Sequence, residues 1–117
     1  MHEVNFHKEN KTVKPKILIV DDNSILRETT RVILKSKFPA LRVFEAADGK
    51  EAFAQIHHHL PDLILMDIRL PGENGLELTR RIKDLYPNMI VIIFTSHDLP
   101  EYREAALENG AEFFLSK

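Results

Sequence analysis

The stretch Ile17-Leu18-Ile19-Val20-Asp21-Asp22 decides the fold class of this chain. A run of apolar, mostly β-branched residues without polar alternation predicts a short strand that is covered on both faces. Strands of this kind are typical of parallel sheets with helices packed on either side. The two acids that follow at once place polar side chains at the carboxyl end of the strand.

Outward from this stretch, apolar runs alternate with segments of helical periodicity. Gly110 predicts the end of the last helix. In the segment 49–60 we expect Ala52, Phe53, Ile56 and Leu60 to face inward. In the segment 76–86, Leu78, Ile82 and Leu85 lie at helical spacing. Strands that alternate with helices of about ten to fifteen residues predict a parallel sheet with right-handed crossovers, which is a doubly wound α/β fold. The predicted strands are 17–20, 41–46, 63–66, 89–94 and 112–115, and the predicted helices are 23–37, 49–60, 76–86 and 99–109.

Length and composition limit the classes of protein that fit. With 117 residues, of which 44% are hydrophobic, we expect one domain over residues 15–117, preceded by a flexible, polar tail over residues 1–14. The net charge of −2 argues against direct DNA binding, and the chain has no cysteine for disulfides or Cys-ligated zinc. No segment resembles a secretory signal or a membrane span, so we expect a cytoplasmic protein.

Chemically useful side chains follow four of the predicted strands. Asp21 and Asp22 follow the first, Asp67 the third, Thr95 the fourth, and Lys117 closes the sequence after the fifth. Ligands of open α/β sheets bind beyond the carboxyl ends of the strands, so these groups are expected to meet there. Clustered carboxylates need a hard cation such as Mg²⁺, and an added ammonium group favours phosphoryl transfer to an aspartate.

These residues closely resemble the response-regulator receiver family of two-component signalling. The resemblance covers residues 16–117 and rests on Asp21-Asp22, on Asp67 within Leu65-Met66-Asp67-Ile68-Arg69-Leu70-Pro71-Gly72, on Thr95-Ser96, and on Lys117. It implies a flavodoxin-like sheet of five strands in the order 2-1-3-4-5. It also implies a signalling phospho-acceptor domain that is not an enzyme acting on free substrates.

Position by position, the resemblance assigns the metal site and the acceptor. Asp22 would bind Mg²⁺ directly, Asp21 would hold it largely through water, and Asp67 with the backbone carbonyl of Arg69 would complete the ligands. Asp67 would accept the phosphoryl group, and Lys117 would contact one of its oxygens.

The same resemblance implies a switch and a set of partners. Thr95 would move toward the phosphoryl group, and the ring of Phe114 would turn inward with it, which would change the surface of the fourth helix and fifth strand. The partners would be a sensor histidine kinase or a phosphotransfer protein, a second copy in a phosphorylation-dependent homodimer, and DNA through a downstream effector domain only. The segment 106–111, leading into Phe113, Phe114 and Leu115, is most similar to receivers of helix-turn-helix transcription regulators.

One departure from the family concerns the residues after Lys117. Family members continue with a turn and a fifth helix, so we expect the natural chain to be longer, with that last helix missing from this sequence. One face of the sheet would then be covered by the helix 23–37 alone and would leave apolar surface open.

Other interpretations of the motifs remain open. Arg69 and His97 flank the expected site and either control the access of water or are plain surface side chains. Successive helical residues point about 100° apart, so the rings of His57, His58 and His59 cannot converge on one metal ion. This run is therefore interpreted as a solvated helix end. The alternative functions are a phosphate-independent interaction module and a Mg²⁺-dependent phosphatase or NTPase, although the chain lacks a Gly-Lys-Ser/Thr loop and has Arg69 where an Asp-x-Asp phosphatase needs its second acid.

Overall fold

The computed structural model describes residues 14–117, so the predicted tail lies outside the described residues except for Lys14. The main sheet contains β1 (Lys16–Val20), β2 (Arg42–Ala46), β3 (Leu63–Met66), β6 (Ile90–Thr95) and β7 (Phe113–Ser116). The helices are α1 (Ser24–Lys37), α2 (Gly49–His59), α3 (Gly75–Leu85) and α4 (Pro100–Glu108). A small antiparallel hairpin of β4 (Arg69–Leu70) and β5 (Glu73–Asn74) lies between β3 and α3.

The five strands of the main sheet are parallel and lie in the order β2-β1-β3-β6-β7. Counted without the hairpin, this is the predicted order 2-1-3-4-5, and the doubly wound fold class is confirmed. Parallel pairing brings the carboxyl ends of β1, β3, β6 and β7 to one edge of the sheet, where the polar residues of the sequence were expected to meet.

One face of the sheet carries the main core. Side chains that alternate along the strands point to this face, because successive strand residues face opposite ways. Apolar residues of α2, α3 and α4 pack against them, and each fully buried aliphatic side chain stabilises the fold by about 1.5–3 kcal/mol. The core includes Leu18, Val20, Ile64, Met66, Val91, Ile93 and Phe114 from the strands, and Ala52, Ile56, Leu78, Ile82 and Ala106 from the helices.

The opposite face is only partly covered in the described residues. α1 contacts β1 and β2, yet Ile25 and Val32 of this helix are 77% and 54% exposed. At the far side of the sheet, Phe113 and Leu115 of β7 are 59% and 48% exposed. Since Phe114 between them points into the core, these two side chains must point to the α1 face, where they form an open apolar surface.

The predicted inward orientation of Leu60 is wrong. Leu60 is 58% exposed because it ends α2 in the left-handed conformation, with a φ of 50°, and this turns the chain away from the core. Leu85 is 66% exposed in the last turn of α3. Within residues 14–117, no helix is both long enough and apolar enough to cross a membrane.

Candidate functional site

Three carboxylates meet at the carboxyl edge of the sheet. Asp21, Asp22 and Asp67 each offer an oxygen within 4.8 Å of the others. The sheet itself places two of them, because the Asp21 amide donates to the carbonyl of Ala46 and the Asp67 amide to that of Val20, each at 3.0 Å. Asp21 is 5% exposed and the Asp67 side chain 12%, whereas Asp22 is exposed. The cluster therefore opens to solvent on the Asp22 side.

Local hydrogen bonds orient the acids. Oδ1 of Asp21 accepts from the amide of Asn23 at 2.9 Å, and Oδ1 of Asp67 accepts from the amide of Ile68 at 2.8 Å. Arg27 donates to the Asp21 carbonyl at 2.6 Å, which also ties the first turn of α1 to the end of β1. In both carboxylates one oxygen is thus held by backbone, and the other points toward the cluster.

Lys117 bridges these free oxygens. Its ammonium group lies 2.6 Å from Oδ2 of Asp21 and 3.2 Å from Oδ2 of Asp67. Partial burial by itself lowers the pKa of Lys117, but the hydrogen bond to Asp21 and the charge of Asp67 outweigh this, so the pKa is raised above its ordinary value. Lys117 is therefore a fixed positive charge between two of the three acids at neutral pH.

Thr95 lies at the same edge and is fully buried. Its hydroxyl oxygen accepts from the amide of His97 at 3.2 Å, and its carbonyl accepts from the amide of Lys117 at 2.9 Å. The second bond extends the β6–β7 ladder, so the lysine is placed by its backbone as well as by its side chain.

The remaining predicted residues surround this centre. Arg69 opens the hairpin two residues after Asp67, with an exposed side chain, and His97 is half-buried. Phe114 is 8% exposed, and the guanidinium carbon of Arg103 lies 4.6 Å from the centre of its ring. The ring therefore lies inward, covered by a cation.

The histidine run differs in part from its interpretation as a solvated helix end. His57 and His58 are exposed, but His59 is half-buried and its ring stacks on that of Phe44 at 3.8 Å between centroids. Within the described residues, only the three aspartates form a group of acids, histidines or cysteines close enough to share a metal ion.

Sequence reasoning missed several residues that shape the site. Gly75 is the first residue of α3, and a Cβ there would overlap the carbonyl group of Asp67. Asp98 accepts hydrogen bonds from Ser116 and from Arg103, which sequence spacing alone does not predict. A glycine directly before the predicted helix 76–86 was the one available signal, since close approach of two backbones is a usual reason for glycine.

Comparison with known proteins identifies the family of this chain. The family model for the response regulator receiver domain matches residues 17–117. Oxygen regulatory protein NreC of Staphylococcus haemolyticus is 37% identical over 103 residues, which is 87% of this chain and 48% of that protein. Transcriptional activator protein ExaE of Pseudomonas putida is 41% identical over 101 residues, which is 86% of this chain and 47% of that protein.

Solved structures agree in fold. A CheY-like receiver domain protein from Methanospirillum hungatei superposes with a TM-score of 0.83 at 32% identity, covering 90% of this chain and 82% of that one. A LuxR-family two-component response regulator from Aurantimonas gives 0.83 at 35% identity, covering 90% and 75%. The chain spans about half the length of the curated relatives it matches. With its sequence, its sheet and its acidic cluster in agreement, the chain belongs to the response regulator receiver domain family.

Proposed function

We propose that Asp67 accepts a phosphoryl group in a Mg²⁺-dependent reaction in which Lys117 and Thr95 bind the transferred group. The receiver family is one of signalling phospho-acceptor domains. The observation that carries the assignment to residues is the ammonium of Lys117 held between Asp21 and Asp67, in a cluster where Asp22 faces solvent.

The donor set fits magnesium. Carboxylate and carbonyl oxygens are the ligands this ion prefers, and the cluster supplies three carboxylates with no nitrogen or sulfur among them. Asp22 and Asp67 would bind directly, Asp21 largely through water, and the carbonyl of Arg69 would add a ligand. When bound, the ion would supply positive charge opposite the phosphoryl oxygens.

The chain's own groups account for the transfer. A carboxylate oxygen of Asp67 attacks phosphorus, the P–N bond of a phosphohistidine breaks, and its electron pair stays on the imidazole nitrogen, which takes up a proton. Lys117 moves from the carboxylate to a phosphoryl oxygen of the new acyl phosphate. The buried Thr95 hydroxyl rotates to donate to another of these oxygens.

The same transfer would change the output surface. A phosphoryl group adds about 1.5–2 negative charges at neutral pH, enough to bias an element with two arrangements. Thr95 and Phe114 are the proposed switch residues, since one bonds the phosphoryl group and the other lies under α4.

The partners are proposed from the chemistry and from the relatives. A sensor histidine kinase or phosphotransfer protein in the cytoplasm would supply the phosphohistidine, and phosphorylation would favour a homodimer. Two relatives are named as a regulatory protein and a transcriptional activator, and both are about twice as long as this chain. We therefore propose transcription control through an effector domain.

Mass spectrometry after incubation with Mg²⁺ and a small phosphoramidate donor tests the proposal. We expect an adduct of about 80 Da, the mass of one phosphoryl group, that disappears in Asp67→Ala and on chelation of Mg²⁺. Asp84→Ala is the matched control, because Asp84 is exposed on α3, remote from the three acids.

The alternatives give different results in the same assay. Continuous turnover of the donor without a lasting adduct would indicate a phosphatase, and the absence of both would indicate an interaction module that works without phosphate. An adduct that persists in Asp67→Ala would refute the assignment of the nucleophile.

A further inference from the structure

Asp98 connects three elements around the proposed phosphoryl site. It lies three residues after Thr95, in the loop between β6 and α4. One carboxylate oxygen, Oδ2, accepts from the hydroxyl of Ser116, and the other, Oδ1, accepts from the Arg103 guanidinium at 2.8 Å. The hydrogen bond from Ser116 and then that from Arg103 lower the pKa of Asp98, so this carboxylate is ionised at neutral pH.

We call the two hydrogen bonds to Asp98 the arms of its network. The first arm, from Ser116, leads to the centre of the site. Ser116 pairs with Thr95 across the β6–β7 ladder and is the direct neighbour of Lys117. The Lys117 amide bonds to the Thr95 carbonyl, so the chain just after Thr95 and the end of β7 are held side by side. Asp98 extends this connection with a side-chain bond, because its hydrogen bond to Ser116 joins the loop to the strand end.

The second arm leads away from the site. Arg103 projects from α4, and the same guanidinium that bonds Asp98 lies over the ring of Phe114 at 4.6 Å. A cation over an aromatic face is attracted to it, so the bond to Asp98 and the cover over Phe114 support each other. The Asp98 carboxylate thus accepts hydrogen bonds both from the end of β7 and from Arg103, the side chain that covers Phe114.

Stability alone is a weak explanation for this arrangement. Arg103 and Asp98 have side-chain exposures of 48% and 41%. Ion pairs this exposed contribute little to folding, because water and salt screen them and both side chains must be ordered. Such contacts can still hold neighbouring groups in position.

We propose that Asp98 is a positioning residue for phosphoryl transfer: through Ser116 it fixes the end of β7 that carries Lys117, and through Arg103 it joins that placement to the cover over Phe114. This inference rests on the proposed function of Asp67. It requires that loss of either arm changes the reaction without unfolding the chain.

The test measures the rate of adduct formation on the whole chain over a range of phosphoramidate concentrations. Ser116→Ala and Asp98→Asn are expected to lower the maximal rate by about tenfold, less than the roughly hundredfold loss that a misplacement of about 1 Å can cause. The half-saturating donor concentration is expected to stay within about twofold, since no donor-binding group is removed. Thermal midpoints should move by less than about 5 °C.

Matched variants separate a loss of positioning from a general loss of folding. Ser36→Ala and Asp84→Asn alter an exposed serine and an exposed aspartate elsewhere and should keep the unaltered rate. Ser116→Thr retains the hydroxyl group and should restore most of the rate. Arg103→Gln combined with Ser116→Ala should be non-additive, and the two changes should become additive once Asp98 is replaced by alanine.

The outcomes distinguish this inference from the proposal on which it rests. If the unaltered chain forms no adduct, both fail. If it forms the adduct and Ser116→Ala and Asp98→Asn react at its rate, only the role of Asp98 fails. A rate loss that simply follows a fall in the thermal midpoint, without rescue by Ser116→Thr, also overturns the positioning role.

Discussion

Gly75→Ala tests how closely helix α3 fits against residues 67–68, which we call the acceptor loop because Asp67 is the proposed acceptor. Gly75 is the first residue of α3, and its amide donates to the carbonyl of Ile68 at 2.7 Å. A Cβ at this position would lie 2.9 Å from the carbonyl carbon of Asp67 and 3.0 Å from the Cα of Ile68, and would overlap the Asp67 carbonyl oxygen. Both partners are backbone, so neither can rotate out of the way.

The size of the effect follows from these distances. Carbon atoms in contact are best separated by about 3.5–4.0 Å, so the helix start and the acceptor loop must separate by about 1 Å. Overpacking of this kind costs about 1–3 kcal/mol, and this lowers the thermal midpoint of a domain of this size by several degrees. The same displacement at a reacting group can reduce the rate by about a hundredfold.

The assay combines a thermal unfolding curve with the time course of the phosphoryl adduct. Gly72→Ala is the control, because Gly72 has a φ of 72° and a Cβ added there would meet nothing within 4 Å. That change strains the backbone by about 1–2 kcal/mol, yet it does not press on Asp67. If Gly75→Ala were as stable and as reactive as the unaltered chain, the close fit between α3 and the acceptor loop would be refuted.

Three further predictions concern the core, acid stability and the proposed chemistry. Ile82→Ala should lower the free energy of unfolding by about 2–5 kcal/mol in urea titrations, whereas Leu85→Ala should have little effect because Leu85 is exposed; equal losses would contradict the assigned core. Burial of Glu112 opposes its ionisation, but hydrogen bonds from Lys83 and the Val91 amide outweigh burial, so its pKa lies below the ordinary 4.5. Ionised Glu112 therefore adds to the free energy of unfolding fully above about pH 4.5, and this contribution is lost as pH falls through the lower pKa of the folded state. In unfolding measurements at several pH values, Glu112→Gln should make the free energy of unfolding fall less steeply at acid pH. An unchanged slope would contradict the assignment. Lys117→Met should slow adduct formation by about a hundredfold or more, and an unchanged rate would exclude the lysine from the reaction.

The sheet and the positions of the acids could be predicted because they depend on local patterns. A short, mostly β-branched run such as Ile17 to Val20 favours a strand buried on both faces, and the carboxyl ends of parallel strands share an edge. From these facts alone Asp21, Asp67 and Lys117 are brought together. The helix boundaries were predicted to within about one residue, as expected when end turns fray.

The rest depended on geometry that a linear pattern does not contain. Leu60 fits the helical period, but a single left-handed residue turns it outward. The hairpin β4–β5 has two residues in each strand, too few for any periodicity. The bond between Asp98 and Ser116 depends on how the loop after β6 meets the end of β7, and nothing in either neighbourhood marks the two residues as partners.

The hydrogen bond from Lys117 to Asp21 joins residues that are 96 positions apart. Bringing such distant segments together has an entropic cost that other native contacts must offset. On a ribosome, a nascent chain that has exposed β1 and β3 already holds all three acids but has no ammonium group to place between them. The proposed phosphoryl transfer should therefore appear late in folding, and a partly folded chain should not accept the phosphoryl group.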